Sequence, residues 1–409
     1  MQTKLLTRIF YLIGFTTGLY IHLPLMTVFL LNQGVDASMI VLAGLFWSLG
    51  QVLFEVPTGY LADRFGQKLS MISGFFIEGL GLFVIVLWPS AAGLAISYFV
   101  GGIAAAFLSG SEEALCYENT KASGNDHVKI YGRFMSANTI GMVVATAIGG
   151  AIYGYVGLGV APWLFAATGS MLILSALLTG FLKDIHVTRA SKVQGSAYMD
   201  SVKAGWKFIK EEDFLRTTLV VSMFILSGEW VLYNIYQPIF SDLQVPIVWF
   251  GLVLSLGMVL NSLVTANVHR FERKLKLQQI LASVSLFIAL AYLLLATTEF
   301  WIVGVIAVIL ILGFAEVYRP VLSDYVNERI PSEQRSTILS TISLSQRISA
   351  ITMRLALTAA VLFGSFAVSA VVQGVYLVVG AVLTYWLLTR CGCAHRIKSR
   401  SPELIGEVR

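Results

Sequence analysis

Charge is what this sequence has least of. Asp, Glu, Lys and Arg make up 12% of its 409 residues, against 57% hydrophobic, and the mean hydropathy is +0.79. An ordinary soluble domain is roughly a quarter charged, so a water-soluble globular fold is excluded. Cysteine is scarce as well: Cys116 lies in an apolar run, and Cys391 and Cys393 form a lone C-x-C near the end. No disulfide framework is indicated. The pair lacks the other ligands of a zinc site and the five histidines are scattered, so neither a metal nor another cofactor is expected; a lipid or metal role for the pair stays open. A nucleophile motif, a phosphate-binding loop and a sizeable soluble domain are all missing, which speaks against an enzyme.

What is present is a series of long apolar runs. A helix needs roughly 20 residues to cross about 30 Å of hydrocarbon. Runs of that order cover 9–31, 39–58, 69–88, 94–117, 134–156, 161–182, 215–240, 247–268, 278–296, 300–320, 337–363 and 366–388, referred to as spans 1 to 12. Barrel strands would be shorter and alternating, so the runs are read as helices. The first is too long for the apolar core of a signal peptide and has no small-residue cleavage site, so it reads as span 1. The expected fold is an all-α polytopic membrane protein.

Lysine and arginine are absent from every second loop. Twenty-six of the 28 lie before span 1, around the loops that follow spans 2, 4, 6, 8 and 10, or at the C-terminal end; Arg347 and Arg354 lie inside span 11. The loops near Asp36, Pro89, Gly159, Asp242, Thr297 and Ser365 carry none. The positive-inside rule places both termini and the long central loop in the cytoplasm, and a bacterial inner membrane is the expected location. The net charge of +5 is then a topology signal and implies no nucleic-acid partner.

The polar stretch from Lys183 to Arg216 divides the chain. Residues 1–182 read as an N-terminal six-helix bundle, 183–214 as a cytoplasmic linker, 215–390 as a C-terminal six-helix bundle and 391–409 as a cytoplasmic tail. In the linker, Tyr198, Val202, Gly205, Trp206 and Ile209 recur at helical spacing opposite Lys203, Lys207 and Lys210. This suits an amphipathic helix on the lipid surface or one packed against the bundle. "RFGQKL" at Arg64–Leu69 returns as "RFERKL" at Arg270–Leu275, and "YEN" at Tyr117–Asn119 as "YVN" at Tyr325–Asn327, at offsets of 206 and 208. Two echoes at nearly one offset indicate pseudo-symmetric halves related by an axis along the membrane normal.

"GYLADRFGQK", between spans 2 and 3, resembles the loop signature of the major facilitator superfamily, through Gly59, Leu61, Asp63, Arg64, Gly66 and Lys68. The preceding "EVPTG", which begins at Glu55, resembles a variant common among bacterial members. The resemblance implies a secondary transporter whose halves rock about a central path lined by spans 1, 4, 7 and 10. It also implies that the loop latches one of the two packings. Gly59 and Gly66 would allow close approach and a tight turn, Asp63 would accept hydrogen bonds or pair with a cation, and Arg64 and Lys68 would anchor the loop, with Glu55 behind them. A plain topogenic loop is the alternative. In the second half His269 stands where Asp63 would align.

Ionisable groups inside a membrane are costly and mark sites by default. The proton-coupling candidates are Glu229, Glu316, Glu113, Glu112, Glu78 and His22. Glu229 falls near the midplane, and Trp230, Tyr233, Asn234, Tyr236 and Gln237 follow it with groups suited to an amphipathic cargo; an interfacial aromatic belt is the other reading. Glu316 is open to a fixed pairing with Arg319 on the same helix face. Glu112 and Glu113 point about 100° apart on a helix, so only one can face a cavity. Arg347 and Arg354, on one face of span 11, are open to a salt bridge across the bundle or to binding an anionic group. His22 also reads as an ordinary interior histidine.

Span 5 reads "GMVVATAIGGAIYG" from Gly141 to Gly154. Drug-exporting members of the superfamily carry G-P-x-x-G-G there; this chain keeps Gly149 and Gly150 but has Ala145 and Thr146 in place of the Gly-Pro. The expectation is a monomeric secondary transporter in the lipid bilayer that couples protons to efflux of lipophilic or amphipathic small molecules. Uptake or carriage of a lipid, siderophore or nutrient is the first alternative. A membrane enzyme or a non-transporting scaffold is the rival from another class.

Overall fold

The structure, a computed structural model, describes residues 3–122, 124, 126–183, 213–225, 228–272, 274–319, 321–322 and 335–390. The amphipathic-helix reading of the linker, the Tyr325–Asn327 echo and the Cys391/Cys393 pair lie outside those residues. The side chains of Asp63, Glu229, Trp230 and Arg347 lie outside them too, although each residue falls within a helix.

Among the described residues there is no strand, and every predicted span falls on one helix or on two in series. Eight helices among the described residues are long and apolar enough to cross a membrane, and four shorter apolar ones fall in spans 1, 10 and 11. Span 1 is Thr3–Thr17 followed by Met26–Asn32, span 4 is Ala91–Leu108 followed by Ser111–Ala122, and span 7 is described in the helices Asp213–Ile225 and Gly228–Asp242. Spans 2 and 3, Ala37–Phe65 and Gln67–Leu87, meet at Gly66, whose φ of +94° lies where only glycine is unstrained. Leu87, Trp163 and Phe363 stand mostly exposed, as side chains facing lipid do.

Neighbour relations repeat after six spans. Span 1 packs on 5 and 6, span 2 on 4, and span 3 on 4 and 6; span 7 packs on 11 and 12, span 8 on 10, and span 9 on 10 and 12. The two halves meet through 2 against 11, 5 against 8, and 1 against 7, pairs that a pseudo-two-fold exchange of the halves maps onto one another.

Small residues let the backbones meet, because apolar side chains gain little over lipid as a driving force between spans. A Cβ on Gly251 of span 8 would lie 2.1 Å from the Thr146 carbonyl oxygen, and one on Gly150 of span 5 would lie 2.6 Å from the Gly251 Cα. Beside them the Thr146 and Ser255 hydroxyls are 2.8 Å apart, and Ser255 donates to the Val143 carbonyl at 2.8 Å. The largest apolar core also crosses between halves, joining Phe29, Val35, Ala161 and Phe165 to Phe240, Val245 and Phe250. A second core, around Phe10, Met71, Phe75 and Phe134, belongs to the first half alone and lies nearer the basic loops. The halves are thus fused at the end opposite the basic loops.

Gly251→Val tests this crossing. The added methyls should cost about 1–3 kcal/mol, lower the thermal midpoint of the purified protein, and widen the distance between spin labels on the non-basic ends of spans 5 and 8. An unchanged label distance would show that the crossing yields without parting the halves.

Candidate functional site

The apolar run of span 1 hides a break. Its first helix stops at Thr17, residues 18–22 are irregular, and a short 3-10 turn, Leu23–Leu25, leads into the helix that starts at Met26. Pro24 has no N–H and cannot continue an α-helix through this point. Backbone groups freed at membrane depth must find partners. Ile21 N–H donates to the Thr168 hydroxyl at 3.0 Å. Gln237, reaching over from span 7, accepts at Oε1 from Thr27 N–H (2.9 Å) and Val28 N–H (3.2 Å), and donates from Nε2 to the Leu23 carbonyl at 2.9 Å. One amide side chain of the second half therefore completes a helix start in the first.

The break opens onto a cavity of about 660 Å³ between the halves. Its ionisable wall includes Tyr20, His22, Glu78, Tyr98, Glu112, Tyr233 and Arg354. Tyr20, in the irregular stretch, donates its hydroxyl to Glu78 Oε1 of span 3 at 2.6 Å. Span 4 is interrupted at Gly110, φ +76°, and the next helix carries Glu112 in its first turn, within electrostatic range of Glu78 and Tyr20. Two helix breaks and span 3 thus bring two carboxyls and a phenol together. His22 Nδ1 lies 3.1 Å from the Thr168 hydroxyl, and its ring sits 4.5 Å from that of Phe165. On the far wall Arg354 of span 11 donates to the Ser48 hydroxyl of span 2 at 2.9 Å.

Comparison with known proteins sets this cavity in a family. The profile of the Major Facilitator Superfamily matches residues 9–353. The chain belongs to the Major Facilitator Superfamily. It is 24% identical to the uncharacterized MFS-type transporter YxaM of Bacillus subtilis, over 81% of this chain and 83% of that one. It is 22% identical to the quinolone resistance protein NorA of Staphylococcus aureus, over 75% and 77%. Among solved structures, the nucleoside transporter NupG superposes with a TM-score of 0.76 at 15% identity, covering 95% of this chain and 99% of NupG. A D-xylose-proton symporter superposes with a TM-score of 0.67 at 16% identity, covering 93% and 96%. These likenesses show the fold. The protein is a multi-pass membrane transporter and not an enzyme.

Within this Major Facilitator fold the predicted site residues separate. Glu78, Glu112, His22, Tyr233, Asn234 and Arg354 line the cavity. Glu113 is exposed and off its wall. Glu316 is also off the wall and forms an ion pair with Arg319, the fixed-pair alternative of the sequence reading. Tyr236 and Gln237 need correction as cavity residues. Both are fully buried; Tyr236 donates to the Phe250 carbonyl at 3.1 Å, and Gln237 holds the span 1 break. Glu229, Trp230 and Arg347 fall on side chains outside the described residues.

The segment expected as a basic loop is helical except at Gly66, with Gly59–Phe65 continuing span 2 and Gln67 opening span 3. Lys68 donates to the Gly180 carbonyl at 2.7 Å, where span 6 ends, and Arg64 lies over the Phe65 ring. Glu55 accepts from Ser109 at 3.4 Å. Sequence reasoning missed Tyr20, Ser48 and the span 1 break, for which "GLYIHLP" (Gly18–Pro24) carried the signal: a glycine and a proline bracketing polar rings inside an apolar run.

Gln237→Leu leaves the Thr27 and Val28 donors without their acceptor. The expected cost is about 1–3 kcal/mol, read as a lower thermal midpoint, together with faster labelling of a cysteine placed at residue 28 from the non-basic side. Gln237→Glu keeps the acceptor and should labilise the break less; equal effects of both variants would count against the capping role.

Proposed function

We propose that this transporter couples protons to the export of lipophilic or amphipathic small molecules by alternating access. It would work as a monomer in a bacterial inner membrane with both termini in the cytoplasm, and the conformer described would be open inward. The observation that carries the reading is the Tyr20–Glu78–Glu112 cluster in the cavity wall. Two carboxyls in one low-dielectric pocket cannot both ionise cheaply, so at least one is suited to hold a proton until cargo or the opposite compartment takes it. Each pH unit of gradient supplies about 1.4 kcal/mol per proton, enough for roughly tenfold accumulation.

Export is supported by the relatives that carry resistance in their names, since removing a drug confers resistance to it. Proton coupling is supported by the fold shared with a D-xylose-proton symporter. The Gly59–Lys68 signature segment, which contains Asp63 near its centre, would latch the outward-open packing. A Cβ on Gly59 would meet nothing within 4 Å, so the present packing does not require a glycine there, as suits a residue needed in the other conformer.

The test is export of dansylamide, a neutral amphipathic fluorophore, from proteoliposomes under an imposed pH gradient. Glu78→Gln and Glu112→Gln should each lower gradient-driven accumulation about tenfold or more while leaving downhill exchange. Accumulation equal to the parent's in both variants would refute the protonic role of the cluster.

A further inference from the structure

We propose that Arg354 is an anion-binding point in the cavity wall, and that the cargo carries a carboxylate or comparable monoanion on an aromatic body. The inference rests on the transporter reading and adds the chemical class of its cargo.

Among the described residues lining the cavity, Arg354 is the one lysine or arginine. An ionised guanidinium away from bulk water is costly unless an anion or a full set of acceptors offsets it. Arg354 has neither. Of the several N–H donors a guanidinium carries, Nη1 reaches a neutral acceptor, the Ser48 hydroxyl at 2.9 Å, and no carboxylate among the described residues lies within ion-pair distance. The two cavity acids belong to another part of the wall. Tyr20 donates to Glu78, and Glu112 lies within electrostatic range of both, whereas the Tyr98 phenol lies within electrostatic range of Arg354.

The niche is shaped for the guanidinium. A Cβ on Gly44 would lie 2.7 Å from Arg354 Cζ and 2.8 Å from Nη1, so any side chain at residue 44 would displace the group from its place against span 2. Beside it, Trp47 and Tyr98 meet edge to face with ring centroids 6.3 Å apart. Gly101 leaves room for the indole, since a Cβ there would lie 2.4 Å from the Trp47 Cζ3 atom. A planar cation next to an aromatic pair, with no carboxylate partner among the described residues, matches a carboxylate attached to a flat apolar body.

The exchange is favourable because a carboxylate is a stronger acceptor for a guanidinium than a hydroxyl. It also has a mechanical consequence. The Ser48–Arg354 bond joins span 2 of one half to span 11 of the other, so an anion that draws Arg354 off Ser48 releases one tie between the halves. Cargo recognition and loosening of the fused end then share one side chain.

The test uses one fluorophore with three charges: dansylglycine (anionic), dansylamide (neutral) and dansylcadaverine (cationic), titrated into the full-length protein in detergent, with dansyl emission as the readout. Dansylglycine should bind about tenfold more tightly than dansylamide, the increment expected of one charged hydrogen-bonding contact. In Arg354→Gln the ratio of the two dissociation constants should fall towards one, and in Arg354→Lys it should be partly kept. Ser48→Ala, which removes the competing neutral acceptor, should raise the ratio.

Equal binding of dansylglycine and dansylamide by the parent overturns the proposal. So does a ratio that survives Arg354→Gln, a ratio lost in Ser48→Ala, or a parent that favours dansylcadaverine over both. None of these outcomes bears on the gradient test of Glu78 and Glu112, so the anion site can fail while proton coupling stands.

Discussion

A backbone group in hydrocarbon has no water to bond, and that constraint orders the rest of this structure. Span 1 leaves the helical path between Gly18 and Leu25, at a depth where each unmet N–H costs several kcal/mol. The break stands because Thr168 and Gln237 take up the freed groups. One of these partners is in the same half and the other is across the interface. The irregular stretch that carries Tyr20 and His22 into the cavity is thus held open by the contact that fuses the two halves. Site geometry and conformational state are one problem here.

The charges sort by half. Glu78 and Glu112 come from spans 3 and 4 of the first half, and Arg354 comes from span 11 of the second. Nothing in the described structure neutralises one set with the other. A bundle built only for stability would pair them or replace them with apolar residues, since an apolar substitute for a buried ion pair is often neutral or better. Separate, exposed-to-cavity charges of opposite sign are useful only if something else enters between them. Rocking of the halves changes their distance, so an occupant that spans them experiences the motion directly.

Much of this was legible in the sequence because hydropathy and loop charge are one-dimensional signals. Twelve apolar runs, the alternation of basic loops and the two echoes at offsets of 206 and 208 suffice for the bundle and its duplication. Gly66 could be read from its loop alone, since a turn between two helices asks for positive φ. Side-chain direction was harder. Tyr233 and Asn234 reach the cavity while Tyr236 and Gln237 do not, and all four sit within one turn or so of helix, where a rotation of about 100° per residue decides the outcome and hydropathy says nothing. Glu78 drew less weight than Glu229 because its partner, Tyr20, lies 58 residues away on a break that composition conceals.

The two ends of the bundle differ in a way that bears on how it moves. At the non-basic end the halves share an apolar core, the Gly150–Gly251 crossing, the Gln237 cap and the Ser48–Arg354 bond. At the basic end, the described cations near the signature loop are engaged within their own half: Lys68 on the end of span 6, and Arg64 on its own helix. Of the shared ties, the core and the glycine crossing have no group that a small solute could replace. The Gln237 cap is sealed from the cavity by burial. Among the ties described, the Ser48–Arg354 bond is one whose donor, Arg354, also stands in the cavity wall. If cargo is to influence which end is closed, it must do so through a contact it can reach, and that bond is where binding energy can be exchanged for a contact between halves.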